Sequence, residues 1–230
     1  GASVKDNIDA FRFGRHYENL KEEVVDIIKD EPEVLEGFDE KYKNRFKFLE
    51  DYQNIKYAEK FGDLVSFARK IDKNIGNGSQ FSTAVLKNYF KLMAYKDEYE
   101  VSRLMTNKKF VDDVNKNFEG NFNYNFYLAP PIFSKKSKVD GKLLKVKFGG
   151  WLFNVFKILS KFKFLRGTKL DPFGYLNERK KERELIRDYK ETITDIGIKI
   201  NKSNYETAVK IASIPDQIRG FGHVKEKNIK

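Results

Sequence analysis

Residues Phe164–Ile186, FLRGTKLDPFGYLNERKKERELI, decide the fold, because here a basic apolar segment stops, turns and restarts as a charged helix. Arg166 and Gly167 follow a run of Phe and Lys. Asp171-Pro172 then predicts a turn or a helix start, since proline fixes φ and excludes the α conformation from the residue before it. Gly174 adds a second break. Asn177 is placed to cap the next helix, with Glu178 near its positive end. Beyond it Leu185, Tyr189 and Ile193 recur every four residues with Ile186 beside them, while Arg179, Lys180, Glu182, Arg183 and Glu184 supply the polar remainder. A surface connector needs fewer breaks than this, so the stretch reads as the centre of the fold.

On the upstream side, NFNYNFYL at Asn121–Leu128 alternates, with Phe122, Tyr124, Phe126 and Leu128 on one parity and three asparagines on the other. That is the period of a half-buried strand. Ala129-Pro130-Pro131 stops it, and Leu144–Phe148 alternates again across a lysine-rich loop closed by Asp140-Gly141, which predicts a hairpin near 121–148. Gly149-Gly150 releases the chain into a helix with Trp151, Val155, Phe156, Ile158 and Leu159, whose polar side is lysine. Such a helix can lie on an anionic membrane surface; the preferred reading is an aromatic core helix beneath a basic face. The whole apolar run, Trp151–Leu165, is broken by Lys157, Lys161 and Lys163 and is shorter than the ~20 residues of a membrane span.

Downstream, Ile196, Ile198 and Ile200 fit a strand while Ile193 and Ile196 extend the helical stripe, and helix is favoured for the first half. Ser203-Asn204-Tyr205-Glu206 reads as a capping box before a short helix with Ala208, Val209, Ile211 and Ala212, ended by Pro215. The chain closes on IPDQIRGFGHVK at Ile214–Lys225, where glycines let the backbone bring Arg219, Phe221 and His223 close to a ligand or a neighbouring loop.

The first half is helical throughout. Val4, Ile8 and Phe11 repeat at helical spacing up to Gly14-Arg15, and the chain opens inside that pattern without a methionine, as a cut end would. Val24, Val25, Ile27 and Ile28 mark a second helix that Pro32 ends. A long helical stretch runs from Asp39 to Ile71, with Phe46, Leu49, Tyr52, Phe61, Leu64, Val65 and Phe67 as its buried side and Gly62 as its expected interruption. NIGNGS at Asn74–Ser79 is the clearest hinge. Ser82 is the expected cap of a helix with Val85, Leu86, Tyr89, Phe90 and Met93, which then turns polar through Tyr95–Leu104. Asp97, Glu98 and Glu100 there admit acid–base chemistry if a cleft holds them together. The ordinary alternative is a solvated face, with Arg103 one turn from Glu100.

Composition bounds the function. The 230 residues, 40% hydrophobic with 21 Phe and 12 Tyr, are enough for a substantial core. With no cysteine, this polypeptide holds no disulfide, thiolate zinc site, cysteine-ligated iron–sulfur cluster or cysteine nucleophile. His16 and His223 are far apart and neither has a second histidine one turn away, so no metal site is expected. A cytoplasmic, soluble protein is the expectation.

The formal charge of +11 is unevenly placed. Between Lys135 and Lys169 there are eleven Lys or Arg against Asp140 alone, a local net of +10, whereas residues 21–60 carry twelve acids against eight bases. Such polarity points to docking on an acidic surface or an anion, or else to a lysine-solvated face. Arg166, Arg219 and His223 are the candidates for an anionic group, because Arg offers a planar fork and His a further donor. Arg219 alternatively ties the C-terminal loop to a carbonyl or to Asp171. No catalytic residue is assigned.

Five motifs in one order carry a resemblance: AFRFGR at Ala10–Arg15, KLMAYKDEYEVSRL at Lys91–Leu104, LAPP at Leu128–Pro131, LRGTKLDPFGYLNERKKERELI at Leu165–Ile186 and IPDQIRGFGHVKEKN at Ile214–Asn228. Together they resemble the C-terminal region of the fused indolepyruvate ferredoxin oxidoreductases. The resemblance implies that residues 1–15 end a preceding gamma-type domain and that 16–230 form a C-terminal helical domain. It also implies a parent enzyme that oxidatively decarboxylates an aryl 2-oxoacid to its acyl-CoA, using thiamine diphosphate, magnesium and iron–sulfur clusters and passing electrons to ferredoxin. No GDG-like thiamine motif and no cluster cysteine lies in this chain, so none of those cofactors is expected on it. The expectation is therefore a mainly α (α+β) multi-helix domain with one small antiparallel β-hairpin, acting as a docking or scaffold domain whose partners are the parent's other domains. The alternative is a free-standing basic module for nucleic acid or an anionic surface. That reading is disfavoured for nucleic acid, because no RNP-like or helix-turn-helix pattern is present.

Overall fold

The computed structural model describes residues 37–76, 78–117, 123–128 and 144–218. The chain divides into two compact units at Lys41/Tyr42, and the second holds nearly all of the described structure. The expected boundary at residues 15–16 lies outside the described residues, as do Arg219, His223 and the hairpin loop.

The described residues are mainly α-helical with one two-stranded antiparallel sheet. In chain order they form α1 (Phe38–Tyr52), α2 (Ile55–Ile75), α3 (Gln80–Met93), α4 (Glu98–Met105), α5 (Lys108–Asn117), β1 (Phe126–Leu128), β2 (Val146–Phe148) and α6 (Leu152–Leu159). A 3-10 turn (Ser160–Leu165), α7 (Asn177–Lys199), α8 (Tyr205–Ala212) and a final 3-10 turn (Ile214–Gln217) follow. Phe126 pairs with Phe148 and Leu128 with Val146, in the register that puts Phe126 and Phe148 on one face.

The long helical stretch breaks at Gln53-Asn54, and Gly62 lies inside α2 instead of interrupting it. Asn54 decides this, since its side-chain oxygen accepts the Tyr57 N–H at 2.9 Å and nucleates a fresh helix. Gly62 is kept for space, because a Cβ there would meet the Tyr42 hydroxyl and the Phe46 ring. At the far end of α2, Gly76 takes the left-handed conformation (φ 72°) and its N–H returns to the Asp72 carbonyl, closing the helix before α3 packs back against α2.

The α2–α3 hairpin is the heart of the larger bundle. Phe61, Leu64, Val65, Ala68, Val85, Leu86 and Tyr89 are all buried, and α7 lies across both helices with Tyr189 and Ile193 as its buried side. Tyr89 and Tyr189 stack at 5.8 Å, and the Tyr189 hydroxyl donates to the Ala212 carbonyl, tying α7 to α8. Gly197 allows the crossing of α7 over α2, since a Cβ there would come within 2.5 Å of the Phe67 ring and 2.7 Å of Ile71. Helix continues through Ile198 to Lys199, so the strand alternative for this stretch is not taken up.

Three expected caps turn out differently. Asn177 is the first residue of α7, Leu176 stands at its N-cap, and no side chain caps it. The Ser203–Glu206 capping box does not form: α8 starts at Tyr205, and the Asn204 oxygen accepts the Asn201 N–H instead. Ser82 lies inside α3, whose first turn is satisfied from another helix: Asp72 of α2 accepts the Ser82 N–H at 2.8 Å. The polar continuation of α3 is a separate helix, α4, capped by Asp97.

A smaller lobe is built on α4, α6, the following 3-10 turn and the sheet. Leu152 and Phe156 bury the inner side of α6, where Phe156 meets Phe126 edge-on at 5.2 Å and Phe153 stacks on Tyr124 at 5.7 Å. Among the described residues no helix is long and apolar enough to cross a membrane.

Candidate functional site: a buried arginine corner and the face it holds

The corner begins where the 3-10 turn ends. Arg166 leaves the helical region with ψ at 119°, and Gly167 follows at φ 75°, a conformation that glycine adopts without steric cost. This reversal aims the Arg166 side chain inward, where it is 2% exposed. Its Nε and Nη2 donate to the two oxygens of Asp97 at 2.5 and 2.8 Å, a bidentate fork, and its Nη1 donates to the Tyr52 carbonyl. The guanidinium carbon also sits 3.6 Å from the Tyr52 ring centroid.

Asp97 has two tasks, since its Oδ1 also accepts the Glu100 N–H at 2.8 Å as the N-cap of α4. The Arg166 carbonyl accepts from Gln53, and the Tyr52 hydroxyl donates to the Tyr95 carbonyl at 2.8 Å. One arginine thus joins the end of α1, the start of α4 and the approach to α7. Burial acts most strongly, lowering the Arg166 pKa, but the hydrogen bonds to Asp97 and the charge interactions with Tyr52, Asp97 and Tyr95 together outweigh it and the net shift is upward. Burial, then the Asp97 charge, raises the Tyr52 hydroxyl far above its ordinary value, and the same two causes push Tyr95 up to about 12.

Asp171 organises the next turn. Its carboxylate accepts the Gly167 N–H at 2.8 Å, the Phe173 N–H at 3.1 Å and the Tyr99 hydroxyl at 3.1 Å, while being 3% exposed. Arg183 of α7 donates to the Gly174 carbonyl at 2.6 Å, and Arg179 faces Glu98 of α4 at 3.5 Å. The Asp-Pro-Phe-Gly segment is therefore a locked turn between the lobes. Asp97 and Glu100 are both nearly fully buried, not a solvated face; Glu100 holds Arg103 in a second bidentate pair at 2.8 Å.

Of the three anion candidates, Arg166 is thus engaged inside the protein, and an added anion would have to displace Asp97 from it. Arg219 and His223 lie outside the described residues. Sequence reasoning did not find Asp97 as the partner of Arg166, nor the buried set Asp72–Tyr205, in which the Tyr205 hydroxyl donates to Asp72 at 2.7 Å and accepts the Phe81 N–H. Nothing local signals these pairs. Among the described residues no three His, Asp or Glu side chains gather as a metal-ligand set.

The basic segment before the corner presents an exposed surface. The outer side of α6 and its 3-10 extension carries Trp151, Val155, Ile158 and Phe162, spaced i, i+4, i+7 and i+11, with Trp151 and Ile158 each 60% exposed. Lys145, Lys147, Lys157, Lys161 and Lys169 are exposed around them. The helix therefore buries only one side: of the residues expected in an aromatic core helix Phe156 alone is buried, joined by Leu152.

A groove of about 190 Å³ between α7 and α8 is lined by Ile196, Ala208 and Ile211 together with Asp195, Lys199, Asn204 and Thr207, and its surface is mainly apolar. No curated protein matches the chain, and no solved structure does. A family model matches residues 38–230, which include the whole arginine corner, so the chain belongs to a family of unknown function (DUF6537).

Proposed function

We propose that the chain is a non-catalytic docking domain of a thiamine-diphosphate-dependent, indolepyruvate-type 2-oxoacid ferredoxin oxidoreductase. What supports the reading is the joint behaviour of its charged and apolar groups. The described charges with the best geometry, Arg166, Asp97, Asp171 and Asp72, are consumed in fixing helices, whereas apolar side chains stand exposed in a lysine-rich rim. A surface of that kind gains by being covered. The five ordered motifs supply the parent's identity, and thiamine diphosphate, magnesium, iron–sulfur clusters, CoA and ferredoxin are handled by its other domains. The protein works in the cytoplasm.

The test is the complete polypeptide that carries this chain, assayed for CoA-dependent ferredoxin reduction with an aryl 2-oxoacid. Activity is expected, with upstream thiamine-binding and cluster-bearing modules; a reading frame without them removes the proposal. Arg219→Ala and His223→Ala then assess the anion candidates. A raised KM for CoA assigns them to its phosphates, and unchanged CoA dependence removes them.

Exposed Trp151 and Phe162 among lysines favour one second reading, stacking of single-stranded nucleic acid on a cationic face. Gel shifts at two salt concentrations test it, since binding driven by phosphates weakens as salt rises. No shift at low salt removes it.

A further inference from the structure

We infer that the stripe Trp151–Val155–Ile158–Phe162 is the docking contact itself, and that its occupant is an apolar protein surface edged by carboxylates on another module of the same polypeptide. The inference rests on the docking reading above and adds the place and the chemistry of the contact.

The stripe follows from the sequence of α6, whose polar residues Asn154 and Lys157 share one side and leave the rest of the helix apolar. Leu152 and Phe156 suffice to seat the helix, and the remaining apolar residues turn outward. Four side chains over eleven positions make a ridge about 17 Å long at helical rise, the length of one helix-wide groove on a partner. The ridge is held rigid: the Phe148 ring meets Trp151 edge-on at 6.2 Å, and Phe153 and Phe156 are pinned by Tyr124 and Phe126. A preorganised tryptophan at a ridge end loses little freedom on binding, as the anchors of protein interfaces do.

Charge selects the occupant. Lys145, Lys147, Lys157 and Lys161 flank the ridge, and no acidic residue occurs between Lys142 and Lys169. A second copy of this face would meet like charge, so the complement is acidic. An anionic bilayer meets that condition as well, but one of the flanking cations is already held in place on the ridge. The Lys157 ammonium is held over the Phe153 ring at 4.7 Å, and Lys163 donates to the Asp51 carbonyl. Donors at fixed positions suit carboxylates at fixed positions.

Hydroxyl-radical footprinting read by mass spectrometry tests this on two molecules, the 230-residue chain and the complete polypeptide. Trp151 and Phe162 are expected to be oxidised at least about fivefold more slowly in the complete polypeptide, as burial in an interface core requires, while Ile198 on α7 stays unchanged. Ile158→Glu in the complete polypeptide is expected to restore Trp151 oxidation, while the Tm of the 230-residue chain with the same change is unaltered.

If the complete polypeptide reduces ferredoxin yet leaves the stripe oxidised as in the isolated chain, the inference falls and the docking reading stands. If the stripe is covered in a polypeptide without oxidoreductase modules, the inference stands and that reading falls. Protection of the stripe by phosphatidylserine vesicles, with none in the complete polypeptide, assigns the face to a bilayer and overturns the inference.

Discussion

The arginine corner and the α6 face adjoin in sequence and invert the usual rule of burial. At the corner a guanidinium and three carboxylates, those of Asp97, Asp171 and Glu100, are taken out of water. A few residues earlier, a tryptophan, an isoleucine and a phenylalanine are left in it. The comparison separates two uses of side-chain chemistry. Buried charge gains little net stability over well-packed hydrocarbon, but its partners must be in one place, so it fixes geometry. Exposed hydrocarbon fixes nothing in this chain and gains only when something covers it.

The largest break in that contrast is Arg166→Ala. It strands Asp97 and the Tyr52 carbonyl in a dry site and is expected to cost about 3–5 kcal/mol, read as a fall in Tm and denaturant midpoint. If the pair acts through geometry, the double variant Arg166→Met with Asp97→Asn, which keeps an N-cap for α4, recovers more than half of that loss. Equal losses in the single and double variants would instead mean that the pair supplies net stability.

Next come changes at the contacts that set helix positions in the larger bundle. Gly197→Ala drives a methyl into Phe67 and Ile71 and is expected to cost about 1–3 kcal/mol by overpacking. Tyr205→Phe removes a hydroxyl donor to the buried Asp72 carboxylate and is expected to cost about 1–3 kcal/mol, measured by urea titration.

Alkali attacks the buried side of the comparison selectively. Burial raises Tyr89 and Tyr95 from 10.0 to about 12, and Tyr52, Tyr99 and Tyr189 further. The folded state therefore holds protons that the unfolded chain releases, so stability is full below pH ~10 and declines as pH rises from there through the folded values. Cooperative unfolding above pH ~10, with tyrosinate absorbance appearing together with loss of helix, is the expected outcome. Stepwise tyrosine ionisation without unfolding would show these hydroxyls to be less enclosed.

The smallest effects belong to the exposed face. Trp151→Ala and Ile158→Ser are expected to change the stability of the isolated chain by no more than about 0.5 kcal/mol, since neither side chain is buried in it. A loss as large as that of Gly197→Ala would mean that the stripe serves this chain's own fold.

Repeating patterns made much of the architecture legible. The helical stripes with Leu49, Tyr52, Phe61, Leu64 and Val65, the α7 stripe with Tyr189 and Ile193, and the strands ending at Leu128 and Phe148 were readable because burial imposes a local period. The caps were less legible. Ser82, Asn177 and Ser203 each have suitable chemistry for a helix start, but the first-turn N–H groups of Phe81 and Ser82 at α3 found acceptors in Tyr205 and Asp72, and α7 and α8 began one residue or more away. A cap is a competition among acceptors, and distant competitors are invisible in a short window.

The sequence by itself determined the helical periods, the small hairpin, the hinge at Gly76 and Gly78, the turn at Asp171-Pro172 and the concentration of positive charge before it. Each depends on residues within a turn or two of one another. Only the tertiary structure decided which charges would be hidden and which hydrocarbon would show: Arg166 meets Asp97 across 69 residues and Tyr205 meets Asp72 across 133. The cost of a buried charge depends on the whole enclosure around it, and chain order does not specify that enclosure until the helices have packed.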